Sequence, residues 1–188
     1  MGFWRDLLHA GGTGGLNWHV HAHGSLKRWQ PTIELIDGYL VQVKPRNKHL
    51  VLIGGSAGWM MSSQWLGQFA RVDTYDIDPF AGMLFKWRHG AALKAQGTEL
   101  HCHTQDAMQN LPALLSNHPK ACVFFDNVLG QVRFQHPAND WQVVEKKLQQ
   151  LKLTLKGREW GSVHDRMSGP TLEDIPAGST LPVRHADW

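Results

Sequence analysis

Residues 49–58 read HLVLIGGSAG, an apolar run that leads directly into a glycine-rich loop. A short, wholly apolar strand is expected where helices cover both faces of a parallel sheet. Glycines after such a strand let the backbone approach a ligand, and the start of a following helix offers unpaired N–H groups. The stretch therefore predicts a strand over His49–Ile53, a ligand-binding turn, and a helix over Gly58–Phe69.

Downstream of this stretch, apolar strand-like runs alternate with helical patterns as far as residue 165. The predicted strands are Arg71–Ile77, Glu99–Thr104, Ala121–Phe125 and Glu159–His164. The further predicted helices are Pro79–Ala95 and Asp140–Leu155, and Asp106–Leu115 is predicted to be a short helix or a turn. The helix over Pro79–Ala95 is expected to present Phe80, Met83, Leu84 and Trp87 on one face. This alternation predicts a three-layer α/β fold, with a mostly parallel sheet and helices on both faces. Ligands of such a sheet bind at the carboxyl ends of its strands.

Upstream of residue 49, the sequence predicts a mainly helical segment. Apolar residues recur at near-helical spacing over residues 16–45, and Pro31 is assigned to a first helical turn, where proline is tolerated. We therefore divide the chain into an N-terminal helical segment, residues 1–47, and a core, residues 48–188. The N-terminal segment is expected to act as a lid over the substrate.

Composition limits the classes of protein to which the chain can belong. Hydrophobic residues make up 42% and charged residues 19% of the sequence, which is typical of a globular domain. The net charge is +3 without a basic stripe, so a nucleic-acid partner is not indicated. No secretory signal or membrane span is expected. Cys102 and Cys122 lie in predicted strands, and two buried free thiols point to a cytoplasmic protein.

Two acids stand at the end of the second predicted strand. Asp76 occupies the position from which a carboxylate grips the hydroxyl pair of a ribose. Asp78 is better placed to cap the helix that is predicted to begin at Pro79. The sequence therefore predicts that Asp76 binds a nucleoside and that Asp78 caps the helix.

Four segments in this order resemble the motif series of class I methyltransferases, which depend on S-adenosyl-L-methionine (SAM). They are VLIGGSAG at 51–58, VDTYDIDP at 72–79, TQDAM at 104–108 and VFFDNVLGQ at 123–131. The resemblance implies a Rossmann-like core with SAM as the cofactor. The implied cofactor-binding residues are Gly54, Gly55, Ser56 and Gly58 in the loop, Asp76 and Ile77 at the ribose, Asp106 and Ala107 at the adenine, and Asp126 near the methyl group.

The resemblance also suggests which residues carry the reaction, a methyl transfer to nitrogen or oxygen of a small molecule or peptide. Asp126 and Asn127 fall at the position that faces the methyl group, and His164 ends the fifth predicted strand as a candidate general base. The expected substrate contacts come from the aromatic N-terminal segment and from the residues after strand four. They are Trp18, His19, His23, Trp29 and Gln131.

Two other functions are compatible with the same residues. Ser56 lies in a G-x-S-x-G pattern, and Asp126 and His164 follow in the order of a serine hydrolase, with His23-Gly24 as a possible oxyanion loop. Alternatively, the domain binds a nucleotide or a partner without catalysis. Leu52 and Ser56, which stand where the family usually has an acid and a glycine, fit that alternative.

One segment of the sequence is rich in histidine, the run His19-Val20-His21-Ala22-His23. On a strand its three histidines share one face, and on a helix His19 and His23 do. Such a set can hold zinc, but no cysteine or carboxylate nearby completes it. We therefore expect no metal site.

Overall fold

The structure is a computed structural model that describes residues 15–131 and 141–164. Five strands form one all-parallel sheet in the order β3-β2-β1-β4-β5. The strands are β1 (His49–Ile53), β2 (Arg71–Asp76), β3 (Glu99–Thr104), β4 (Cys122–Asp126) and β5 (Trp160–Val163). The predicted α/β class and parallel sheet are confirmed. The strand that precedes the glycine loop is the central one, which explains why four of its five residues are buried.

Helices connect or precede these strands in the described residues. They are α1 (Leu16–Gln42), α2 (Ser63–Leu66), α3 (Ala81–Ala95), α4 (Leu111–Asn117), α5 (Val128–Gln131) and α6 (Trp141–Leu155). The predicted helix Gly58–Phe69 is wrong in extent, because turns follow Gly58 and Ser62 caps only the short α2. The segment Asp106–Leu115, predicted as a short helix or turn, contains both, because a turn precedes α4, which begins at Leu111.

The long helix α1 corrects the placement of Pro31. Proline was expected in a first turn, but α1 begins at Leu16 and carries Pro31 in its interior. An interior proline removes one hydrogen bond of the helix and weakens it locally. Ala22 and Leu40 are buried on either side of it, so packing holds both halves in place.

Alternate residues of the central strand pack into two separate apolar clusters, as the period of a strand requires. Leu50 and Leu52 share a cluster with residues of α1, α2 and α3, namely Leu40, Trp65, Leu66, Phe85 and Leu93. Val51 and Ile53 share the other with residues of α4 and α6, namely Leu111, Leu114, Leu115 and Leu155. The glycine loop therefore leaves the sheet from a strand that is fixed on both faces.

The buried face of α3 differs from the predicted one. Met83 is 60% exposed and Trp87 is 67% exposed, whereas Ala81, Phe85, His89 and Leu93 are buried. The buried positions recur every four residues, and a histidine occupies one of them. Both faces of α3 carry apolar residues, so their spacing alone does not decide which face is buried, and the face that packs against the core is the one that includes His89.

The cysteines are both free thiols, but Cys102 is only partly buried, so the expectation of two buried thiols holds for Cys122 alone. Burial raises the pKa of the Cys122 thiol to about 12. None of the helices in the described ranges combines the length and hydropathy that crossing a bilayer requires.

Candidate functional site

The glycine loop is tied to the strands on either side of β1. The amide of Gly54 donates to the carbonyl oxygen of Tyr75 on β2 over 2.9 Å. Gly54 has a φ of +75°, and a Cβ atom there would meet the side chain of Val128 and lie 2.9 Å from the carbonyl oxygen of Asp126. Glycine is therefore required where the loop passes the end of β4.

The second constrained glycine lies at the far end of the loop. Gly58 has a φ of +69°, and a Cβ atom there would meet Nε2 of His89. The same nitrogen lies 3.1 Å from the carbonyl oxygen of Gly58, and Nδ1 of His89 lies 2.8 Å from the hydroxyl of Ser63. Since burial lowers the pKa of His89 to about 4, the neutral ring joins the loop to α2 and α3.

Asp76 joins the loop to the end of β2. Its Oδ2 atom accepts a hydrogen bond from the amide of Ser56 over 2.8 Å, and its Oδ1 atom accepts one from the amide of Asp78 over 2.9 Å. Burial raises the pKa of Asp76, and these two bonds only partly offset that effect. An ionised carboxylate offers about four acceptor positions, so about two remain for a ligand.

Apolar surface lies beside this carboxylate. Ile77, the next residue, is 56% exposed. A flat apolar ring can pack on such a side chain while the adjacent carboxylate binds hydroxyl groups. The end of β2 thus offers the two kinds of contact that a nucleoside needs.

The ends of β3 and β4 bring the other predicted residues to the same edge of the sheet. Asp106 accepts from the amide of Met108 over 2.9 Å, and Ala107 is buried. Asp126 ends β4 as a buried residue, and the amide of Asn127 donates to the carbonyl oxygen of Val163 over 2.7 Å. The carboxyl ends of parallel strands lie at the same edge of the sheet. Asp76, Asp106 and Asp126, at or just after the ends of β2, β3 and β4, therefore share that edge with the glycine loop.

The candidate general base lies at the end of β5. His164 is exposed, and its Nδ1 atom lies 3.3 Å from the hydroxyl of Ser162. Asp126 on β4 pairs with Val163 on β5, so His164 lies one residue beyond the partner of Asp126. Asp165, the acidic residue that follows His164 in the sequence, lies outside the described residues.

The geometry supports the serine hydrolase arrangement of Ser56, Asp126 and His164 less well than it supports a nucleoside site. Within residues 15–131 and 141–164, the Ser56 hydroxyl makes no hydrogen bond to a histidine. Gly24 lies inside α1, where helical bonding occupies the backbone amides, so it forms no oxyanion loop. Ser56 does have a φ of +49°, a conformation that is uncommon for a residue other than glycine.

The first turn of α1 is anchored to Asp78. Nε2 of His19 lies 2.9 Å from Oδ2 of Asp78, and the indole of Trp59 donates to Nδ1 of His19 over 3.3 Å. An indole nitrogen only donates, so His19 carries its proton on Nε2 and donates it to Asp78. Burial would raise the pKa of Asp78, but bonds from His19 and from the amides of Gly15 and Phe80 lower it overall.

The other predicted substrate residues lie around this anchor. Trp18 and Trp29 pack with their ring centroids 6.0 Å apart, against Trp59 and the loop residue Ala57. His23 is exposed, with its ring 6.0 Å from that of Trp59. Gln131 ends α5, and its side chain lies outside the described part of the chain. The aromatic residues of α1 thus lie next to the glycine loop.

Sequence reasoning missed the role of His89 and gave Asp78 too small a role. A detectable signal for His89 was its spacing of four residues from Phe85 on the buried face of α3. Asp78 does bond the amide of Phe80 just before α3, but its second oxygen binds α1. That contact joins residues 59 positions apart and has no sequence signature.

No protein-family model matches this chain. No curated protein resembles it closely enough to count as a relative. Function is therefore inferred from the chemistry of the site.

Proposed function

We propose that the chain is a class I SAM-dependent methyltransferase with a three-layer, Rossmann-like core. The observation that carries the proposal is the position of Asp76, between the Ser56 amide and the exposed side chain of Ile77. A carboxylate at the end of the second strand beside a glycine loop suits a ribose, and the adjacent apolar residue suits an adenine. The free thiols favour a cytoplasmic location.

Each part of the cofactor would meet a different part of this edge. The two free acceptor positions of Asp76 would bind the ribose hydroxyls, and Ile77 would pack against the adenine. Asp106 would accept a hydrogen bond from the adenine amine. Its Oδ1 atom already accepts one from the amide of Met108, and its Oδ2 atom offers further acceptor positions. The loop from Gly54 to Gly58 would lie against the amino-acid end of the cofactor.

SAM supplies an activated methyl group, so the protein mainly orients the acceptor and excludes water. Asp126 and Asn127 at the end of β4 would orient the acceptor, and His164 would take up the proton that a nitrogen or oxygen acceptor loses. Trp18, Trp29, His23 and Gln131 would contact the substrate, a small molecule or a peptide. His19 would act indirectly, because its two ring nitrogens hold α1 to Asp78 and Trp59.

Calorimetric titration of the purified protein with SAM and with its demethylated product tests this proposal. The expected result is one binding site for each compound, with dissociation constants in the micromolar range. ATP, which shares the adenosine but carries a triphosphate, is the control ligand and should bind far more weakly. Failure of both SAM and its product to bind would refute the proposal.

A serine hydrolase remains the second candidate because of the backbone of Ser56. A positive φ at a residue between a strand and a helix is the strain that a nucleophile elbow shows. Labelling of the protein by a fluorophosphonate probe, lost in Ser56→Ala, would favour the hydrolase. A methyltransferase should stay unlabelled, and its Ser56→Ala variant should still bind SAM, because the backbone amide of residue 56 that holds Asp76 is retained.

A further inference from the structure

A cluster of histidines surrounds one buried carboxylate near the amino-terminal ends of the strands. The side chain of Asp73, on β2, is 0% exposed. Nε2 of His49 lies 2.7 Å from its Oδ2 atom, and Nε2 of His103 lies 3.1 Å from its Oδ1 atom. Arg71 donates to both oxygens, over 2.6 Å from Nε and 3.0 Å from Nη2. The carboxylate is therefore fixed within a ring of nitrogen atoms.

A third histidine approaches the cluster from the end of α4. The ring of His118 lies with its centroid 5.0 Å from that of His49, and its Nε2 is 2.9 Å from the hydroxyl of Tyr75. One ligand atom each from His49, Asp73 and His118 lie within 4.8 Å of one another. Three elements of the fold thus bring together two imidazoles and a carboxylate.

This set of donors matches the preference of divalent transition metals. Imidazole nitrogen and carboxylate oxygen are both ligands of Zn²⁺, with bonds of about 2.0–2.2 Å. Ligand atoms around a tetrahedral ion lie about 3.3 Å apart, so a pair of ligand atoms at the 4.8 Å limit has to approach by about 1.5 Å. His49 already touches the carboxylate, and His118 is partly exposed at the end of α4, so the ring of His118 is the one that moves toward the ion.

We propose that His49, Asp73 and His118 bind one divalent transition metal ion of the zinc class, with solvent completing its coordination. Arg71 is the group that the ion displaces from Oδ2 of Asp73. Its side chain is 42% exposed, so its guanidinium can turn to water or keep only the bond to Oδ1. His103 remains at Oδ1 as an outer hydrogen-bond partner that orients the carboxylate.

The metal site is independent of the proposed cofactor site. Asp73 and Asp76 both lie on β2, but their side chains point to opposite faces and stand about 10 Å apart along the strand. The ion links β1, β2 and the end of α4, so its expected effect is to stabilise the fold. Either proposal can fail without the other, because zinc binding does not require SAM.

A calorimetric titration of chelator-treated protein with Zn²⁺ tests the metal site. About one ion per chain is expected, and Co²⁺ as a spectroscopic substitute should give visible absorption bands. His118→Gln and His49→Gln should each weaken binding at least about tenfold, because each removes a ligand. His101→Gln is the matched control, since His101 is an exposed histidine on the adjacent strand β3 and is paired with Glu99.

Melting temperatures separate metal binding from damage to the fold. Zn²⁺ should raise the melting temperature of the unmodified protein and of His101→Gln, but not that of His118→Gln or His49→Gln. If one of these two variants fails to fold without metal, the other decides the question. Zinc binding with unchanged affinity in both variants overturns the proposal. Binding that disappears only in the double variant His21→Gln/His23→Gln overturns it too, because the ion would then bind α1.

Discussion

The Oδ2 atom of Asp76 accepts a hydrogen bond from the amide of Ser56 over 2.8 Å, and this contact ties the loop after β1 to the end of β2. The second oxygen of Asp76 binds the amide of Asp78, whose own side chain holds the first turn of α1. Asp76 and Asp78 together thus connect the glycine loop, the sheet edge and the N-terminal helix.

Replacing Asp76 tests its proposed role toward the ribose. Asp76→Ala should weaken SAM binding by about 1.5–3 kcal/mol, because hydrogen bonds to a charged group are lost. This loss corresponds to about a 10- to 150-fold higher dissociation constant in calorimetry. Glu99→Gln removes an exposed carboxylate from β3, and should leave the affinity unchanged. An unchanged affinity in Asp76→Ala would remove Asp76 from the site.

The same carboxylate predicts how SAM binding depends on pH. The ribose hydroxyls donate to the ionised form, and burial raises the pKa of Asp76 above its ordinary value of 3.8. Affinity should therefore be complete well above this raised pKa and fall as the pH drops through it. The decline should begin at a higher pH than for an exposed aspartate. Calorimetry in a pH series measures it, and Asp76→Asn should remove this part of the pH dependence.

The central part of the fold was predictable from the sequence because local patterns determine it. Wholly apolar runs such as Leu50–Ile53 and Cys122–Phe125 form the buried parallel strands. His49–Ile53 and Glu99–Thr104 have the predicted bounds, and each of the other three strands differs from its prediction by at most one residue at either end. The helices were harder to predict because a charged or polar residue on a helix becomes buried only through contacts with distant parts of the chain.

Gly58 should not tolerate a side chain, whereas Gly38 on α1 should tolerate one. Gly58→Ala adds a Cβ atom against His89 at a φ of +69°, and should destabilise the protein by on the order of 1–3 kcal/mol. Gly38→Ala meets no atom within 4 Å and lies inside a helix, so it should stabilise by about 0.5–1 kcal/mol. Urea unfolding of both variants measures the difference. Equal effects would mean that the loop does not pack on α3 as described.

Burial of His89 should make the fold sensitive to mild acid. The unfolded chain binds a proton at this histidine below about pH 6.5, whereas the folded chain does so only below a pKa of about 4. The stability from this group is therefore complete above pH 6.5 and falls, by on the order of 3 kcal/mol in all, as the pH drops toward 4.

Unfolding by urea at about pH 7.5 and about pH 5 measures this loss. His89→Gln should reduce the difference between the two conditions, although the variant starts from a lower stability. His101→Gln, which removes an exposed histidine, should keep the difference. A difference that persists in His89→Gln would assign the acid sensitivity to another group.

The contacts between side chains at the candidate site were less predictable than the edge of the sheet on which its residues lie. The order of strands places Gly54, Asp76 and Asp126 at one edge, and sequence patterns located that edge correctly. The link between His19 and Asp78 and the cluster around Asp73 join residues that are far apart in the chain. Such contacts depend on how helices pack over the sheet, which local periodicity does not specify.

A titration of isotope-labelled protein with SAM, followed through the backbone amide signals in NMR spectra, tests the central claim most directly. SAM bound at the carboxyl edge of the sheet should shift the amides of Gly54–Gly58, of Asp76 and Ile77, and of Asp106 and Ala107. The amides of His49 and His118, at the opposite end of the strands, should not move. Saturable shifts confined to that opposite end, or no shifts at all, would contradict the assignment of a SAM-dependent methyltransferase.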